Sequence, residues 1–396
     1  MTPDDLQFAR RTSRLDHSRL DRRGFLAAAG ATGLASLAGC IGAGGSESDP
    51  EGDRDGTPEP EPNLAELTDH PYTSPPEIVD LEERDFQTTL RTVAARHEVV
   101  TASASDNPLV LPEVWAFAAD DGEPSIPGPI YRVPEGETVE LTYQNDHTNP
   151  HTIHVHAVDK SWKDDGAPET TGHEHLDPGE SHTYTIEADV PGTHLYHCHV
   201  QTDTHLDMGM YGIFHVIPED AEPVDREYFL TLRDWDSRLH EAYAGGDAEY
   251  STADRDPNVY TVNGRSAPST FHPEEGSPLI VDEGETVRVH LVNAGYESHP
   301  FHTHRHRFQV VAKDGSPIPE VARYEEDVID VAPAERYTIE FEADADPGIY
   351  PAHCHKVDHV TTEGNYPGGM ATAIVYEGAM ETEEFEKVMA DAGFEG

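Results

Sequence analysis

Two of the three cysteines in this 396-residue chain are each flanked by histidine on both sides. The two segments are His197-Cys198-His199 and His353-Cys354-His355. A disulfide between Cys198 and Cys354 is the structural alternative in an exported protein, but a disulfide has no use for histidine neighbours. A thiolate beside imidazole groups is a typical donor set for a soft transition metal. The pattern therefore predicts a metal site at each of these two cysteines.

Upstream of each cysteine lies a second motif of the form His-x-x-His-x-His. In an extended strand alternate side chains share a face, so His197 and His199 point one way while Cys198 points the other way. One β-segment can therefore serve two metal sites, and the peptide links on either side of the cysteine give electrons a short path between them. The upstream motif is His151, His154 and His156 in the first copy and His299, His302 and His304 in the second copy.

These motifs belong to an internal repeat, because the two triplets are separated by a constant offset (299 − 151 = 148). A Glu-Gly-Glu-Thr-Val segment recurs at the same offset, at residues 135 and 283. Val139, Leu141 and Tyr143 alternate with polar residues, which is typical of half-buried strands. Short strands between Pro and Gly turns, in two copies, predict an all-β fold of two tandem Greek-key β-sandwiches.

The repeat also divides the chain. We predict a first domain at residues 86–220, a second domain at residues 221–380 and a C-terminal tail at residues 381–396. A helical period occurs only in that tail, from about Glu381.

The charge balance excludes several partners. Lys and Arg number 26 and Asp and Glu number 77, which gives a net charge of −51. Nucleic acid and anionic membrane surfaces would repel such a chain. Disorder is the alternative explanation of this composition. The strand patterns favour a folded protein from a halophilic organism, because high salt screens the self-repulsion.

The N-terminal residues 1–40 are predicted to be a targeting signal. Arg22 and Arg23 precede an apolar run that is short for a membrane-spanning helix, and the pair resembles a twin-arginine export signal. The Leu-Ala-Gly-Cys sequence ending at Cys40 resembles a lipobox, with an uncleaved anchor or a chance run of small residues as the alternative. Residues 41–85 are predicted to be an acidic, flexible linker. The folded body would then lie outside the cell, lipid-anchored at its surface.

Together, the two histidine motifs resemble the copper-binding signature of multicopper oxidases, in particular the two-domain, laccase-like members, which are related to copper nitrite reductases. The resemblance covers about residues 86–376. It implies two cupredoxin-like domains and copper in type 1, type 2 and type 3 centres. It also implies one-electron oxidation of a donor coupled to reduction of dioxygen to water. A homotrimer is implied as well, in which neighbouring chains build each copper cluster.

The resemblance assigns the ligands residue by residue. The first histidine of each triplet and the cysteine would serve type 1 copper, and the other histidines a three-copper cluster. The type 1 ligands would be His151, Cys198, His205 and Met210 in the first domain and His299, Cys354, His359 and Met370 in the second. Type 2 copper would use His154 and His302, and type 3 copper His156, His197, His199, His304, His353 and His355.

Met210 and Met370 would be the weak axial ligands of the two type 1 coppers, and each assignment has an alternative. The segment from Cys198 to His205 is two residues longer than the usual pattern, so Met208 rivals Met210. Met370 follows an insertion at residues 361–369, and an apolar strand residue is its alternative. Three strong ligands suffice for a blue copper site, because the axial ligand mainly tunes the potential.

A proton donor for oxygen is also expected near the cluster. Asp165 lies nine residues after His156 (165 − 156 = 9) and resembles the acidic residue of laccases. Asp164 is its rival, and an ordinary turn aspartate is the alternative for both. Histidines outside the motifs, including His147, are predicted to be structural.

Three functions compete at this point. Copper nitrite reductases carry Asp at the position of His154, and their first-domain cysteine is not followed by histidine. Here His199 follows Cys198, and the second domain has its own Cys354. These additional ligands favour oxygen reduction at a three-copper cluster, with nitrite reduction as the alternative. A non-enzymatic electron carrier would need only type 1 sites, and structural zinc sites use other spacings. The donor stays open among phenols, aromatic amines, metal ions such as ferrous iron, and small blue-copper proteins.

Overall fold

The structure, a computed structural model, describes residues 70–102, 104–105, 108–171, 174–245, 250–273 and 276–391. The predicted export signal, with Arg22, Arg23 and Cys40, lies outside the described residues. Within the described part of the chain, no helix is long and apolar enough to span a membrane.

The described chain is mostly β-structure. The N-terminal half contains β1 (Ile78–Asp80), β2 (Gln87–Val100), β3 (Leu109–Ala119), β4 (Ile130–Pro134), β5 (Thr138–Gln144), β6 (His154–Val155), β7 (Ser181–Glu187), β8 (Gly192–His197) and β9 (Tyr211–Ile217). Its helices are α1 (Pro168–Thr171) and α2 (Thr202–His205), with 3-10 turns at Leu81–Arg84 and Trp162–Asp164.

The C-terminal half repeats this pattern. Its strands are β10 (Arg226–Trp235), β11 (Val259–Val262), β12 (Leu279–Val281), β13 (Thr286–Asn293), β14 (His299–Thr303), β15 (Phe308–Lys313), β16 (Ser316–Pro317), β17 (Tyr324–Glu326), β18 (Val328–Val331), β19 (Arg336–Glu342), β20 (Ile349–Cys354) and β21 (Ala371–Tyr376). Its helices are α3 (Ser237–Tyr243) and α4 (Glu383–Asp391), with 3-10 turns at Thr252–Asp254, Ser269–Phe271, Glu320–Ala322, Val357–Val360 and Glu377–Ala379.

Two sheets form each half. In the first half the orders are β1-β4-β9-β8-β6 and β3-β2-β5-β7, and in the second half β12-β21-β20-β14-β18 and β11-β10-β13-β19-β15-β16, with β17 on β15. The alternation in β5 explains the layering, since Val139, Leu141 and Tyr143 are buried while their neighbours face outward. The fold is therefore all-β, with two cupredoxin-like sandwiches as the sequence predicts.

The predicted linker ends earlier than residue 85, and this part of the prediction is wrong. Residues 78–80 form β1, which pairs in parallel with β4 at the edge of the first sandwich. Val79 and Leu81 are buried in its core. Because acidic residues surround Val79 and Leu81, the sequence pattern resembles the acidic linker. The two buried apolar side chains nevertheless attach this segment to the core as a short edge strand.

A shared apolar layer joins the sandwiches. Val114, Leu195 and Ile213 of the first half pack with Trp235 and Val292 of the second half in one buried cluster. Because burial of apolar surface is the main stabilising term in folding, this layer fixes the two halves against each other.

Candidate metal centres

The buried cysteine of the first sandwich lies between two histidine nitrogens. Cys198 directly follows β8, and its Sγ is 3.5 Å from His151 Nδ1 and 3.4 Å from His205 Nδ1. The two histidine nitrogens are 3.1 Å apart. All three side chains are buried. One sulfur and two nitrogens thus converge on a point with trigonal geometry, the donor set that suits copper.

The second sandwich repeats this arrangement. Cys354 ends β20, and its Sγ lies 4.0 Å from His299 Nδ1 and 3.5 Å from His359 Nδ1. The two nitrogens are again 3.1 Å apart. Burial raises the pKa of the Cys354 thiol to about 12. Metal binding at this set must therefore displace a tightly held proton.

The methionines Met210 and Met370 occupy equivalent backbone positions. The amide of Cys198 donates to the carbonyl of Met210, and the amide of Cys354 donates to the carbonyl of Met370. Both methionines are fully buried. Met208 is buried too, but its carbonyl accepts from Trp115 on β3. This correspondence favours Met210 over Met208 and supports Met370 as its counterpart.

The longer segment between Cys198 and His205 and the insertion before Met370 each fold into a local turn. In the first sandwich the segment with the two extra residues contains the four-residue α2, which ends at His205 beside Cys198. In the second, Thr362 and Asn365 form a bridged turn, and the amide of Met370 donates to the carbonyl of His359. Gly369 has a φ of +65°, and a Cβ there would collide with backbone carbonyls, so glycine is required where the loop turns back.

The remaining motif histidines of the first sandwich form a second cluster, the first quartet (His154, His156, His197 and His199). His154 on β6 lies directly opposite His197 on β8. His156 Nε2 is 3.0 Å from His197 Nε2, and the His154 ring is 5.5 Å from the ring of His199. Because Nδ1 of His197 donates to the carbonyl of Cys198, its Nε2 is directed into the cluster.

The second quartet (His302, His304, His353 and His355) has the same geometry. His302 on β14 lies opposite His353 on β20, and His304 Nε2 is 3.0 Å from His353 Nε2. Nδ1 of His353 donates to the carbonyl of Cys354. This quartet is more open than the first, because His304 and His355 are exposed.

The hydrogen bonds and ring contacts that link quartet histidines in the described part of the chain join members of the same quartet. The structure therefore brings together each set that the motifs predict within a sandwich. Each quartet is formed by strands of its own sandwich.

Burial favours the neutral form of several of the ligand histidines. It lowers the pKa of His156 to about 2 and that of His197 to about 3, with the neighbouring histidines adding to the effect. It lowers the pKa of His205 to about 4. Burial also lowers the pKa of His304 and His353. A neutral imidazole has a free lone pair, so these groups are ready to bind a metal ion near neutral pH.

The structure distinguishes the two candidate proton donors. The Asp165 carbonyl accepts a 2.7 Å hydrogen bond from His154 Nδ1, and its carboxylate lies 3.4 Å from the same nitrogen and 3.3 Å from Lys160 Nζ. The Asp164 carboxylate instead pairs with His182 at 2.9 Å. Asp165 is therefore the one that borders the first quartet.

Sequence reasoning missed the partners of the ligand histidines. Asp327 holds His302 in the second quartet, as its carbonyl accepts from Nδ1 at 2.7 Å, but the repeat offset of 148 does not mark it, since 327 − 165 = 162. His147, which was predicted to be structural, contacts His151. Asp234 and Glu297 accept hydrogen bonds from ligand histidines of the second sandwich. No motif marks Asp234, because it comes from a strand far from the histidines in sequence.

Comparisons with known proteins agree with this geometry. Two family models, both described as multicopper oxidase, match residues 121–221 and 247–367. The solved structure of a multicopper oxidase, mgLAC, is 32% identical, with a TM-score of 0.63 over 75% of this chain and 87% of that one. The chain belongs to the multicopper oxidase family and is an oxidoreductase. Members of this family bind copper, and the thiolate and imidazole sets described above fit copper.

Curated relatives fall into two groups. The copper-containing nitrite reductase of Neisseria meningitidis serogroup B is 29% identical over 230 residues, which cover 56% of this chain and 54% of that protein. Laccase-1 of Thanatephorus cucumeris is 28% identical over 243 residues, which cover 57% of this chain and 41% of that protein. The chain thus spans about half the length of these relatives.

Proposed function

We propose that this protein couples one-electron oxidation of a donor, either a phenol-like molecule or a metal ion, to reduction of dioxygen to water. The observation that carries the proposal is the pair of matching histidine quartets, each joined through one peptide to a buried cysteine. Copper bound at these sites would supply electron transfer at the cysteines and oxygen reduction at the histidines. A simple electron carrier would leave both quartets without a role.

The chain's own residues define the electron path. Cys198 lies in its buried site, while His197 and His199 on either side of it face the quartet. The hydrogen bond from His197 Nδ1 to the Cys198 carbonyl, 2.8 Å long, fixes the ring that ends this path. The same bond occurs between His353 and Cys354. Each quartet therefore has its own link to a cysteine.

Assembly follows from the separation of the quartets. A three-copper cluster needs both quartets, and in one chain each quartet is built within its own sandwich. The exposed rings of His304 and His355 offer the second quartet to another molecule. A closed ring of three chains would bring the second quartet of one chain to the first quartet of its neighbour. We propose this homotrimer as the active form.

Asp165 would relay protons to the first quartet. Asp165→Asn should lower oxygen turnover by about a hundredfold, because a positioned acid group typically contributes that much to proton transfer. The loss should grow toward alkaline pH, where solvent protons are scarce. The backbone carbonyl that holds His154 is retained, so the blue absorption should persist. Steady-state oxygen consumption across a pH series checks this.

Asp164→Asn is the matched control. It removes the same charge one residue earlier, but its carboxylate pairs with His182 and not with a quartet histidine. Equal losses in the two variants would contradict the assignment of Asp165.

Nitrite reduction is the second candidate, favoured by the similarity to a copper-containing nitrite reductase. The test uses the purified copper form at high salt. We expect oxygen consumption with a phenolic donor or ferrous iron, and no nitric oxide from nitrite under anaerobic conditions. Nitric oxide production without oxidase activity would contradict the proposal and support the second candidate.

We also propose that the enzyme is exported through the twin-arginine route and anchored at the cell surface through Cys40. Replacing Arg22 and Arg23 with Lys should leave the precursor inside the cell, and Cys40→Ser should release coloured enzyme from the membrane fraction. Immunoblots of cell fractions measure both effects. Unchanged localisation of both variants would contradict the proposal.

A further inference from the structure

The two cysteine sites have the same ligands but different surroundings. Asn145 Nδ2 donates to the Asn149 carbonyl and Asn293 Nδ2 donates to the Glu297 carbonyl, both at 2.7 Å, so the two loops are built alike. The repeat offset confirms the match, since 297 − 149 = 148. The neutral amide of Asn149 in the first sandwich therefore corresponds to the carboxylate of Glu297 in the second.

A second pair of equivalent positions differs in size. Gly295 of the second sandwich corresponds to His147 of the first (295 − 147 = 148). A Cβ at Gly295 would collide with the carboxylate of Asp234, so glycine leaves the space that this side chain occupies. In the first sandwich the imidazole of His147 takes the corresponding position, with Nδ1 2.9 Å from Nε2 of His151.

Both ligand histidines of the second site consequently donate to carboxylates. His299 Nε2 donates to Asp234 Oδ1 at 3.1 Å, in a pair that is almost fully buried. His359 Nε2 donates to Glu297 Oε2 at 3.0 Å. Lys356 Nζ, 2.6 Å from Glu297, offsets part of that charge.

The first site has neutral neighbours. The ring beside His151 is the imidazole of His147, with ring centroids 5.1 Å apart, where the second site has a carboxylate. The ring of Trp115 packs edge-on against His205, with centroids 4.9 Å apart. Within the part of the chain that the structure describes, neither ligand histidine of this site pairs with a carboxylate.

A carboxylate that accepts the outer N–H of a ligand imidazole makes that imidazole a stronger donor. A stronger nitrogen donor stabilises cupric over cuprous copper, and the effect is larger in a buried site of low dielectric constant. We propose that the two type 1 coppers of each chain differ in reduction potential, with the second-domain copper lower because Asp234 and Glu297 bind its ligands. This inference rests on the proposed function, since it requires copper at both cysteines.

The expected difference is at least tenfold in the equilibrium constant for reduction, which corresponds to 59 mV for a one-electron couple. It can be measured on two variants that each retain one cysteine site. Cys354→Ser keeps the first-domain copper and Cys198→Ser keeps the second-domain copper. Spectroelectrochemical titration of the blue band in each variant should give the lower midpoint for Cys198→Ser.

Variants of the carboxylates test the cause. In the Cys198→Ser background, Asp234→Asn and Glu297→Gln should each raise the midpoint, the buried Asp234 more than Glu297. Glu297→Gln serves if Asp234→Asn does not fold. Asp358→Asn is the matched control, because it removes a charge from the same turn as His359 without removing a bond to a ligand.

Each outcome of these titrations decides the proposal. Equal midpoints for the two single-site variants would overturn it while leaving the proposed function intact. Equal shifts in Glu297→Gln and the control would also overturn it, since general charge would then be the cause. A colourless Cys198→Ser variant would overturn it together with the assignment of copper to Cys354.

Discussion

Cys198→Ser and Cys354→Ser should each remove about half of the intense blue absorption, because each deletes one of two thiolate ligands. The two sulfurs have equivalent histidine neighbours. Each lies within 4.0 Å of two Nδ1 atoms, and in both sites those nitrogens are 3.1 Å apart. Serine is close in shape to cysteine, so the sandwiches should stay folded. The measurement is the visible spectrum of each variant after copper loading.

The double variant is the control for this prediction and should be colourless while keeping its far-ultraviolet circular dichroism. Loss of the whole band in Cys198→Ser, with a full band in Cys354→Ser, would contradict the prediction. In that case Cys354 would be a buried thiol left by the duplication and not a ligand.

The second large effect concerns assembly. His156→Ala and His304→Ala should each abolish oxygen consumption, since each removes a ligand from one quartet. Mixed trimers of the two variants should recover about a third of the wild-type activity, because a ring that contains both variants pairs an intact first quartet with an intact second quartet at one of its three interfaces. The measurement is oxygen consumption after the two variants are co-expressed and purified through different tags.

A mixture of His154→Ala and His156→Ala is the matched control. Both changes lie in the first quartet, so no interface in the mixed trimer is intact, and activity should stay absent. If the His156→Ala and His304→Ala mixture were also inactive while mixed trimers form, each cluster would not be shared between chains.

Local periodicity made most of the fold predictable. Alternation in segments such as β5 reports which face is buried, and the repeat offset shows that the same sandwich occurs twice. The His-Cys-His segments were informative for the same reason, since an extended backbone places Cys198 and its two neighbours on opposite faces. These are short-range consequences of strand geometry and need no knowledge of distant contacts.

Long-range placement explains what the sequence did not reveal. Asp234 reaches His299 across 65 residues of chain, and only the absent side chain of Gly295 makes room for it. Val79 and Leu81 join the first core as part of an edge strand too short to show alternation. Met370 returns to the cysteine through a folded loop that spacing alone could not predict.

We propose that each chain supports two type 1 coppers and a share of a three-copper cluster built between neighbouring chains. The most direct test is a crystal structure of the copper-loaded enzyme with anomalous maps at the copper edge. We expect about five copper peaks per chain, one each at Cys198 and Cys354 and three between the first quartet of one chain and the second quartet of its neighbour. A single copper between the quartets, or a cluster contained within one chain, would contradict it.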